Sequence, residues 1–251
     1  MKNKIKQSFE KGANFYDALN DIQNKSLNEL IKFMEITIPN QFLVNKSIQV
    51  LDLGCGTSEL TKKLSNKYSF LNCELLDIST KMINISKQKL NKFNFNYQTQ
   101  DFDTFEKFGF FDLIYSNMSL HWSANFSKLV NRIILEMKPK SFFCFSFPNS
   151  KSFKNFLNEL SKKDIQLIMN NLPSKNCFQQ IYELRWVKIK TKETIIKKKF
   201  LSPISFLREL RLMGAGTSLN IKRNNLFKIR NMQKKLFEVD FHISFFIIKK
   251  L

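Results

Sequence analysis

The sequence predicts an α/β fold, a doubly wound and mostly parallel sheet with helices on both faces. Short apolar runs alternate with stretches of helical spacing from residue 48 to residue 147, as in a chain of strand and helix units. Several of these runs end at an acid or an amide, and the carboxyl ends of parallel strands are where such sheets bind ligands. Two glycines directly after the first run complete a strand, a tight turn and a helix.

Residues 1–46 precede the first strand and are expected to form an N-terminal helical arm. Apolar residues recur at helical spacing between residues 4 and 36, which predicts two helices. Tyr16 lies in this arm and allows two interpretations. It either anchors the arm on the core, which spacing alone favours, or closes over bound cofactor and substrate as a lid.

The turn after the first strand, residues 48–53, is the most informative stretch of the chain. Gly54 and Gly56 let the backbone turn sharply and approach a ligand, and the helix predicted over residues 57–67 presents unpaired N–H donors at its start. A dinucleotide fingerprint needs a third glycine where this chain has Glu59, whose charge would repel a pyrophosphate. A nicotinamide or flavin dinucleotide site is therefore disfavoured.

Asp77 ends the second predicted strand, residues 70–77, about twenty residues after Gly54. At this spacing a carboxylate can accept hydrogen bonds from both hydroxyls of a ribose. Asp77 is therefore the first candidate for a ribose ligand, and it can also cap the helix that starts near Ser79.

The next two strands also end in polar residues. Asp101 and Phe102 follow the third strand, residues 94–99, where a carboxylate can accept from an adenine amine while an aromatic ring flanks the base. Without the fold around it, Asp101 could equally begin a surface helix. Asn117 ends the fourth strand and would face the reactive end of a ligand.

The rest of the chain continues the alternation and then becomes harder to interpret. Further helices are predicted over residues 79–92, 124–137 and 222–239, with another starting at Ser202 and Pro203. Further strands are predicted over residues 110–117, 141–147, 186–200 and 241–248. The expected organisation is one domain, with the arm, a cofactor-binding core at residues 47–148, and substrate-side helical segments at residues 149–186 and 201–238.

Composition favours a folded enzyme of the cytoplasm, and we expect a monomer. The formal charge is +20, but its lysines are spread along the chain without an arginine-rich tract, so a nucleic-acid surface is not expected. Such a surface would suit an acidic protein partner. The four cysteines lack metal-ligand spacing and there are two histidines, which argues against a metal site. Neither a membrane span nor a signal peptide is visible.

The motif Asp52-Leu53-Gly54-Cys55-Gly56, together with Asp77 and Asp101, resembles the class I S-adenosylmethionine-dependent methyltransferases. The pattern from Phe111 to Trp122 and the later Leu135-x-x-x-Lys138-Pro139 agree with it. Many of these enzymes have a third glycine where this chain has Ser58, which must therefore fit a conformation that a Cβ allows. The resemblance implies a seven-stranded sheet with an antiparallel last strand, a helical lid insertion, and S-adenosylmethionine held by Tyr16, Asp52, Gly54, Cys55, Gly56, Asp77, Ile78, Asp101, Phe102 and Asn117.

Two further segments are similar to one branch, the malonyl-[acyl-carrier protein] O-methyltransferases of biotin synthesis. They are Phe9-x-x-x-Ala13-x-x-Tyr16-Asp17, with Gln23 after it, and the segment from Arg208 to Ser218. The branch implies methylation of the carboxylate of a malonyl thioester on an acidic acyl carrier protein. A carboxylate is already ionised at neutral pH and needs no general base, which fits the scarcity of histidine. The substrate residues implied are Tyr16, Trp122, Arg208 and Arg211, although both arginines could equally coat a surface helix.

Several alternatives stay open. An RNA methyltransferase would suit the charge, but Ser116-Asn117-Met118-Ser119 is not the Asn-Pro-Pro-Tyr type of tetrad. A methyltransferase-fold assembly factor that hydroxylates arginine and a scaffold without catalysis also remain. His121 could serve as a general base, but beside Trp122 a structural role is favoured.

Overall fold

The computed structural model describes residues 2–165, 167–169, 171–220, 223–230, 232 and 236–251. Nine strands lie in this part of the chain: β1 (Gln49–Leu53), β2 (Asn72–Asp77), β3 (Asn96–Thr99), β4 (Leu113–Asn117), β5 (Phe142–Pro148), β6 (Ile168–Met169), β7 (Val187–Phe200), β8 (Leu219–Asn220) and β9 (Phe237–Lys250). Its α-helices are α1 (Lys2–Leu19), α2 (Asp21–Thr37), α3 (Asn40–Leu43), α4 (Glu59–Tyr68), α5 (Thr80–Lys89), α6 (Phe126–Glu136), α7 (Lys154–Ser161), α8 (Pro203–Leu212) and α9 (Arg223–Arg230).

Seven strands form one sheet in the order β3-β2-β1-β4-β5-β9-β7, and β6 pairs with β8 separately. The pairs among β1 to β5 are parallel, whereas β9 runs antiparallel to both of its neighbours. The predicted doubly wound, mostly parallel seven-stranded sheet is therefore confirmed. The chain reverses its direction of travel across the sheet between β1 and β4, and a crevice opens at such a switch point.

Apolar side chains cover both faces of the sheet, because successive residues of a strand point to opposite sides. On β1, Val50 belongs to a cluster that includes α2 and α4, and its neighbour Leu51 belongs to a second cluster that includes α6. Burial on both faces explains why the strands read as apolar runs. No helix among the described residues is long and apolar enough to cross a membrane.

Side-chain caps fix the starts of three helices. The Ser79 hydroxyl accepts from the Met82 N–H at the start of α5, and the Asn125 amide oxygen accepts from the Lys128 N–H at the start of α6. Ser202 caps α8 with Pro203 in its first turn, as the sequence predicted. These caps place the helix starts at the end of the sheet that carries the crevice.

The helix predicted over residues 222–239 is partly wrong. Helix α9 ends at Arg230, and residues 237–239 belong to β9, while residues 222, 231 and 233–235 lie outside the described part of the chain. β9 is longer than expected because it pairs with β7 along its whole length, from Phe237 opposite Phe200 to Lys250 opposite Val187. Pairing between distant strands outweighed the local basic, helix-like pattern.

Candidate active site

The turn after β1 follows the conformation that its glycines allow. Gly54 and Gly56 have φ angles of +68° and +54°, in the left-handed region where a Cβ is unfavourable. A Cβ on Gly54 would also overlap the hydroxyl of Ser119 and lie 2.7 Å from its Cβ. Ser58 adopts a left-handed φ of 63° as well, so a serine occupies a conformation that favours glycine. Its hydroxyl is buried and hydrogen-bonded to that of Ser86.

Asp77 holds this turn from the end of β2. Its Oδ2 accepts from the Gly56 N–H at 3.0 Å and its Oδ1 accepts from the Ser79 N–H at 2.8 Å. Burial, with a smaller effect from the Glu10 charge, raises the pKa of Asp77 to about 6, although the two N–H donors oppose the shift. The carboxylate is therefore ionised for the most part at neutral pH and fixed at the floor of the crevice.

A first cavity lies over Asp77 and the turn. Eight of the ten predicted cofactor residues line it: Tyr16, Gly54, Gly56, Asp77, Ile78, Asp101, Phe102 and Asn117. Trp122 also lines it, with six residues that the sequence analysis did not assign to the site: Lys2, Ile5, Phe9, Met82, Met118 and Ser119. Its volume is about 50 Å³, well below the several hundred Å³ typical of ligand pockets. Because α1 covers it, we expect this helix to shift outward when a large ligand binds.

Lys2 at the start of α1 occupies the end of the cavity where an adenine was expected. Its ammonium lies 2.9 Å from Asp101 Oδ1 and 2.7 Å from Asp103 Oδ2, and 4.6 Å from the centre of the Phe102 ring. Asp101 also accepts from the Asp103 N–H. Lys2 thus satisfies the carboxylate and the ring face that the sequence assigned to a purine.

Helix α1 is attached to the core along its length. Near its end, Asp17 accepts from the Thr57 hydroxyl at 2.6 Å and pairs with the Lys89 ammonium at 2.7 Å. Midway, Gly12 touches the segment after α8 so closely that an added Cβ would lie 2.6 Å from the backbone nitrogen of Gly214. The phenol of Tyr16 points under this helix, where burial and the charge of Asp77 raise its pKa.

Asp52 and Cys55, the remaining two predicted cofactor residues, lie on a third, smaller cavity on the other side of the same turn, together with Tyr16 and residues of α2. Asp52 accepts from the Thr61 hydroxyl at 2.5 Å and is 2% exposed. Burial raises the pKa of Asp52 to about 7, and the charge of Asp77 adds to the shift. Asp52 thus braces β1 against α4 beneath the turn.

Asn117 joins β4 to α2. Its Oδ1 accepts from the hydroxyls of Ser26, at 2.8 Å, and Ser146, at 2.7 Å. Its Nδ2 donates to the Gln23 carbonyl at 3.1 Å. The amide therefore fixes α2 at the carboxyl end of the sheet, in addition to lining the first and third cavities.

A second cavity of about 340 Å³ adjoins the first, and Phe9, Tyr16, Met118 and Trp122 line both. The edge of the Phe9 ring meets the Trp122 ring at a centroid distance of 5.4 Å. The other residues around the second cavity are mostly apolar or neutral: Gln23, His121, Ser123, Ala124, Pro148, Phe153, Asn171, Leu172, Leu210, Met213, Ala215 and Phe241. No Lys, Arg, Asp or Glu is among these described residues.

Of the predicted substrate residues, Tyr16 and Trp122 lie where the two cavities meet, whereas Arg208 and Arg211 line neither cavity. Both arginines are exposed on α8, and Leu210 and Met213 from the same segment face the second cavity instead. A role for either arginine in orienting a substrate stays a prediction that would require a rearrangement of α8.

Comparisons with known proteins agree with this geometry. Residues 44–201 match the family described as "Methyltransferase domain". A malonyl-[acyl-carrier protein] O-methyltransferase 2 of Ilyobacter polytropus is 25% identical over 99% of this chain and 98% of its own length. One of Bacillus anthracis is 25% identical over 85% of this chain and 81% of its own, and one of Coxiella burnetii is 25% identical over 100% and 97%.

Solved structures with the same fold include the YcgJ protein of Bacillus subtilis, with a TM-score of 0.61 at 15% identity, covering 91% of this chain and 99% of that one. Magnesium protoporphyrin IX methyltransferase of Synechocystis, solved with bound S-adenosylmethionine, has a TM-score of 0.58 at 12% identity and covers 99% and 97%. The resemblance found in the motifs is confirmed. The chain belongs to the methyltransferase domain family and is a class I enzyme that takes its methyl group from S-adenosylmethionine.

Proposed function

We propose that this enzyme methylates the free carboxylate of a malonyl thioester, carried on an acyl carrier protein, and so starts the pimeloyl chain of biotin. The names of its relatives support this substrate. Independent support comes from the chemistry of the second cavity.

The observation that carries the proposal is the lack of a usable base in that cavity. His121 and Tyr16 are its titratable lining residues among those described. Burial lowers the pKa of His121 to about 3 and raises that of Tyr16, so neither takes a proton from a substrate near pH 7. A hydroxyl or an ammonium substrate would need such a base, whereas a carboxylate is already ionised.

We assign the first cavity to the adenosine half of the cofactor. Asp77 is placed to accept from the ribose hydroxyls, and Ile78 and Phe102 would enclose the base beside Asp101. The third cavity, with Asp52 and Cys55 on its wall, would take the methionine end. The left-handed turn supports this assignment, since it brings backbone within reach of a ligand where a Cβ on Gly54 would fill the space.

S-adenosylmethionine supplies an electrophilic methyl group and its own leaving group, so the protein's part is to position and to exclude water. Tyr16 and Trp122 stand between the two cavities and would line the path along which the carboxylate approaches. The apolar walls, with Phe9 and Met118, remove water from that oxygen. A desolvated carboxylate is a stronger nucleophile than a hydrated one.

Affinity for S-adenosylhomocysteine should fall when the pH is lowered. The pKa of Asp77 is raised to about 6, so the ionised form that accepts two ribose hydroxyls is lost as the pH falls through that value. Between about pH 8 and about pH 5 we expect roughly tenfold weaker binding, measured by calorimetry. The Asp77→Asn variant should show a flat profile over this range. An equal pH dependence in that variant would assign the titration to another group.

Lys2→Ala should tighten cofactor binding several-fold, because the Lys2 ammonium competes for Asp101 and the face of Phe102. The gain is bounded by the strength of a partly exposed ion pair, roughly 1 kcal/mol. Lys4→Ala, an exposed lysine of the same helix, is the matched control and should leave the dissociation constant unchanged. Weaker binding by Lys2→Ala would mean that Lys2 helps to close α1 over the cofactor.

An acidic acyl carrier protein suits the charge of +20, and the encounter would then depend on salt. All four cysteines are free thiols, in keeping with the reducing cytoplasm that we propose as the location. We also propose that the enzyme acts as a monomer without nucleic acid.

The test is methyl transfer from labelled S-adenosylmethionine to malonyl-acyl carrier protein, malonyl-coenzyme A and bulk RNA in parallel. We expect label on the malonyl carrier, and its release by mild base, as for an ester. The succinyl carrier protein, one methylene longer, is a matched control for the reach of the carboxylate. Label in RNA, or none on either malonyl thioester despite cofactor binding, would refute the proposal.

A further inference from the structure

Two buried polar atoms without a hydrogen-bond partner belong to side chains that line the second cavity. They are Oε1 of Gln23 and Nδ1 of His121. Buried polar atoms are almost always paired, since an unpaired one gives up its bonds to water without replacement. Two such side chains around one cavity indicate a place where a polar ligand completes the bonding.

Both side chains are carried on fixed parts of the fold. Gln23 lies on α2, and its backbone carbonyl accepts from Asn117 Nδ2 at the end of β4. His121 lies in the short 3₁₀ turn Leu120–Trp122, with its ring 5.1 Å from that of Trp122. They therefore reach the cavity from two different elements, and Trp122 and Tyr16 also border the cofactor side.

Both groups are neutral and can donate hydrogen bonds. A half-turn of the Gln23 amide exchanges its oxygen for its NH₂ group, and a neutral imidazole carries its proton on either nitrogen. Burial keeps His121 neutral near pH 7, since its pKa is lowered to about 3. The cavity wall has no described Lys or Arg to pair with an anion.

We propose that Gln23 and His121 bind the carboxylate of the substrate by hydrogen bonds from neutral donors. This inference rests on the proposed function and deepens it. Neutral donors fix the orientation of the carboxylate without the tight ion pair that an arginine would form, so one oxygen keeps the charge with which it attacks the methyl group. The methyl ester that results has lost this charge and is held less firmly, which favours its release.

The test compares steady-state constants for malonyl-acyl carrier protein. Gln23→Glu places a carboxylate of nearly the same shape against that of the substrate, and we expect the KM for the malonyl carrier to rise roughly tenfold or more. His121→Phe, which removes both ring donors, should act in the same direction. His121→Asn keeps an N–H donor and should recover most of the loss. The exposed Gln41→Glu is the matched charge control and should behave as the wild type does.

Melting temperatures separate a folding defect from a binding defect, because only binding predicts recovery with His121→Asn and a rise in KM for the carrier beyond any rise for S-adenosylmethionine. An active wild type with unchanged constants in Gln23→Glu and His121→Phe would overturn this inference alone. A raised KM in Arg211→Ala instead would return the carboxylate to the arginine. A wild type inactive on both malonyl thioesters would overturn the proposed function and this inference with it.

Discussion

Asp77→Asn should weaken the binding of S-adenosylhomocysteine by about a hundredfold or more. The substitution removes the charge that would accept both ribose hydroxyls, and two charge-assisted hydrogen bonds contribute roughly 3 kcal/mol or more. The amide group of asparagine also cannot accept from both N–H donors, Gly56 at 3.0 Å and Ser79 at 2.8 Å, so the turn loses one of its two ties.

Isothermal calorimetry measures this effect directly. Asp21→Asn is the matched control, since Asp21 lies exposed at the start of α2 and pairs there with Lys25. It should bind S-adenosylhomocysteine as the wild type does. Affinity within threefold of the wild type in Asp77→Asn would show that the cofactor is held elsewhere.

Gly54→Ala is expected to cost both stability and cofactor binding. A left-handed φ of +68° penalises any Cβ by about 1 to 2 kcal/mol, and the new atom would overlap the Ser119 side chain. Relief of that overlap must move the turn away from β4, and with it the backbone that faces the ligand. We expect a fall in melting temperature of about 5 °C or more and a loss of affinity of at least about a hundredfold.

A second substitution separates the two causes. Ser119→Gly removes the atoms that overlap, so the double variant Gly54→Ala with Ser119→Gly should recover part of the melting temperature and keep the penalty of the φ angle. Circular dichroism and calorimetry on the single and double variants provide the comparison. Wild-type affinity in Gly54→Ala would contradict the close approach of this turn to the cofactor.

The cofactor side was predictable from the sequence because its residues follow strands. Asp77, Asp101 and Asn117 each stand at or just after the end of a strand, and a parallel sheet brings such ends to one edge. The turn at Gly54 carries its own local signal. The structure accordingly gathers eight of the ten proposed cofactor residues around one cavity.

The arm over the site could not be placed in the same way. Ile5 and Phe9 belong to an apolar stripe that predicts a helix but does not reveal what the helix covers. The contact of Lys2 with Asp101 joins residues 99 positions apart in the chain, and no local pattern encodes it. Gln23 appeared only as part of a motif, and its exposure to a cavity depends on the packing of α2 against β4.

The substrate side shows the opposite failure, where a chemical expectation was not met by geometry. A cation seemed necessary for a carboxylate, which drew attention to Arg208 and Arg211. The structure leaves both exposed on α8 and presents neutral groups to the second cavity instead. Charge in a sequence does not indicate which face of a helix will turn toward a ligand.

A crystal structure with S-adenosylhomocysteine and malonyl-coenzyme A tests the account most directly. It predicts the ribose hydroxyls on the Asp77 carboxylate, α1 moved outward from the first cavity, and the malonyl carboxylate in the second cavity, within hydrogen-bond distance of Gln23 and His121 and facing the sulfur. A cofactor bound away from Asp77, or a malonyl carboxylate paired with Arg208 or Arg211, would contradict it.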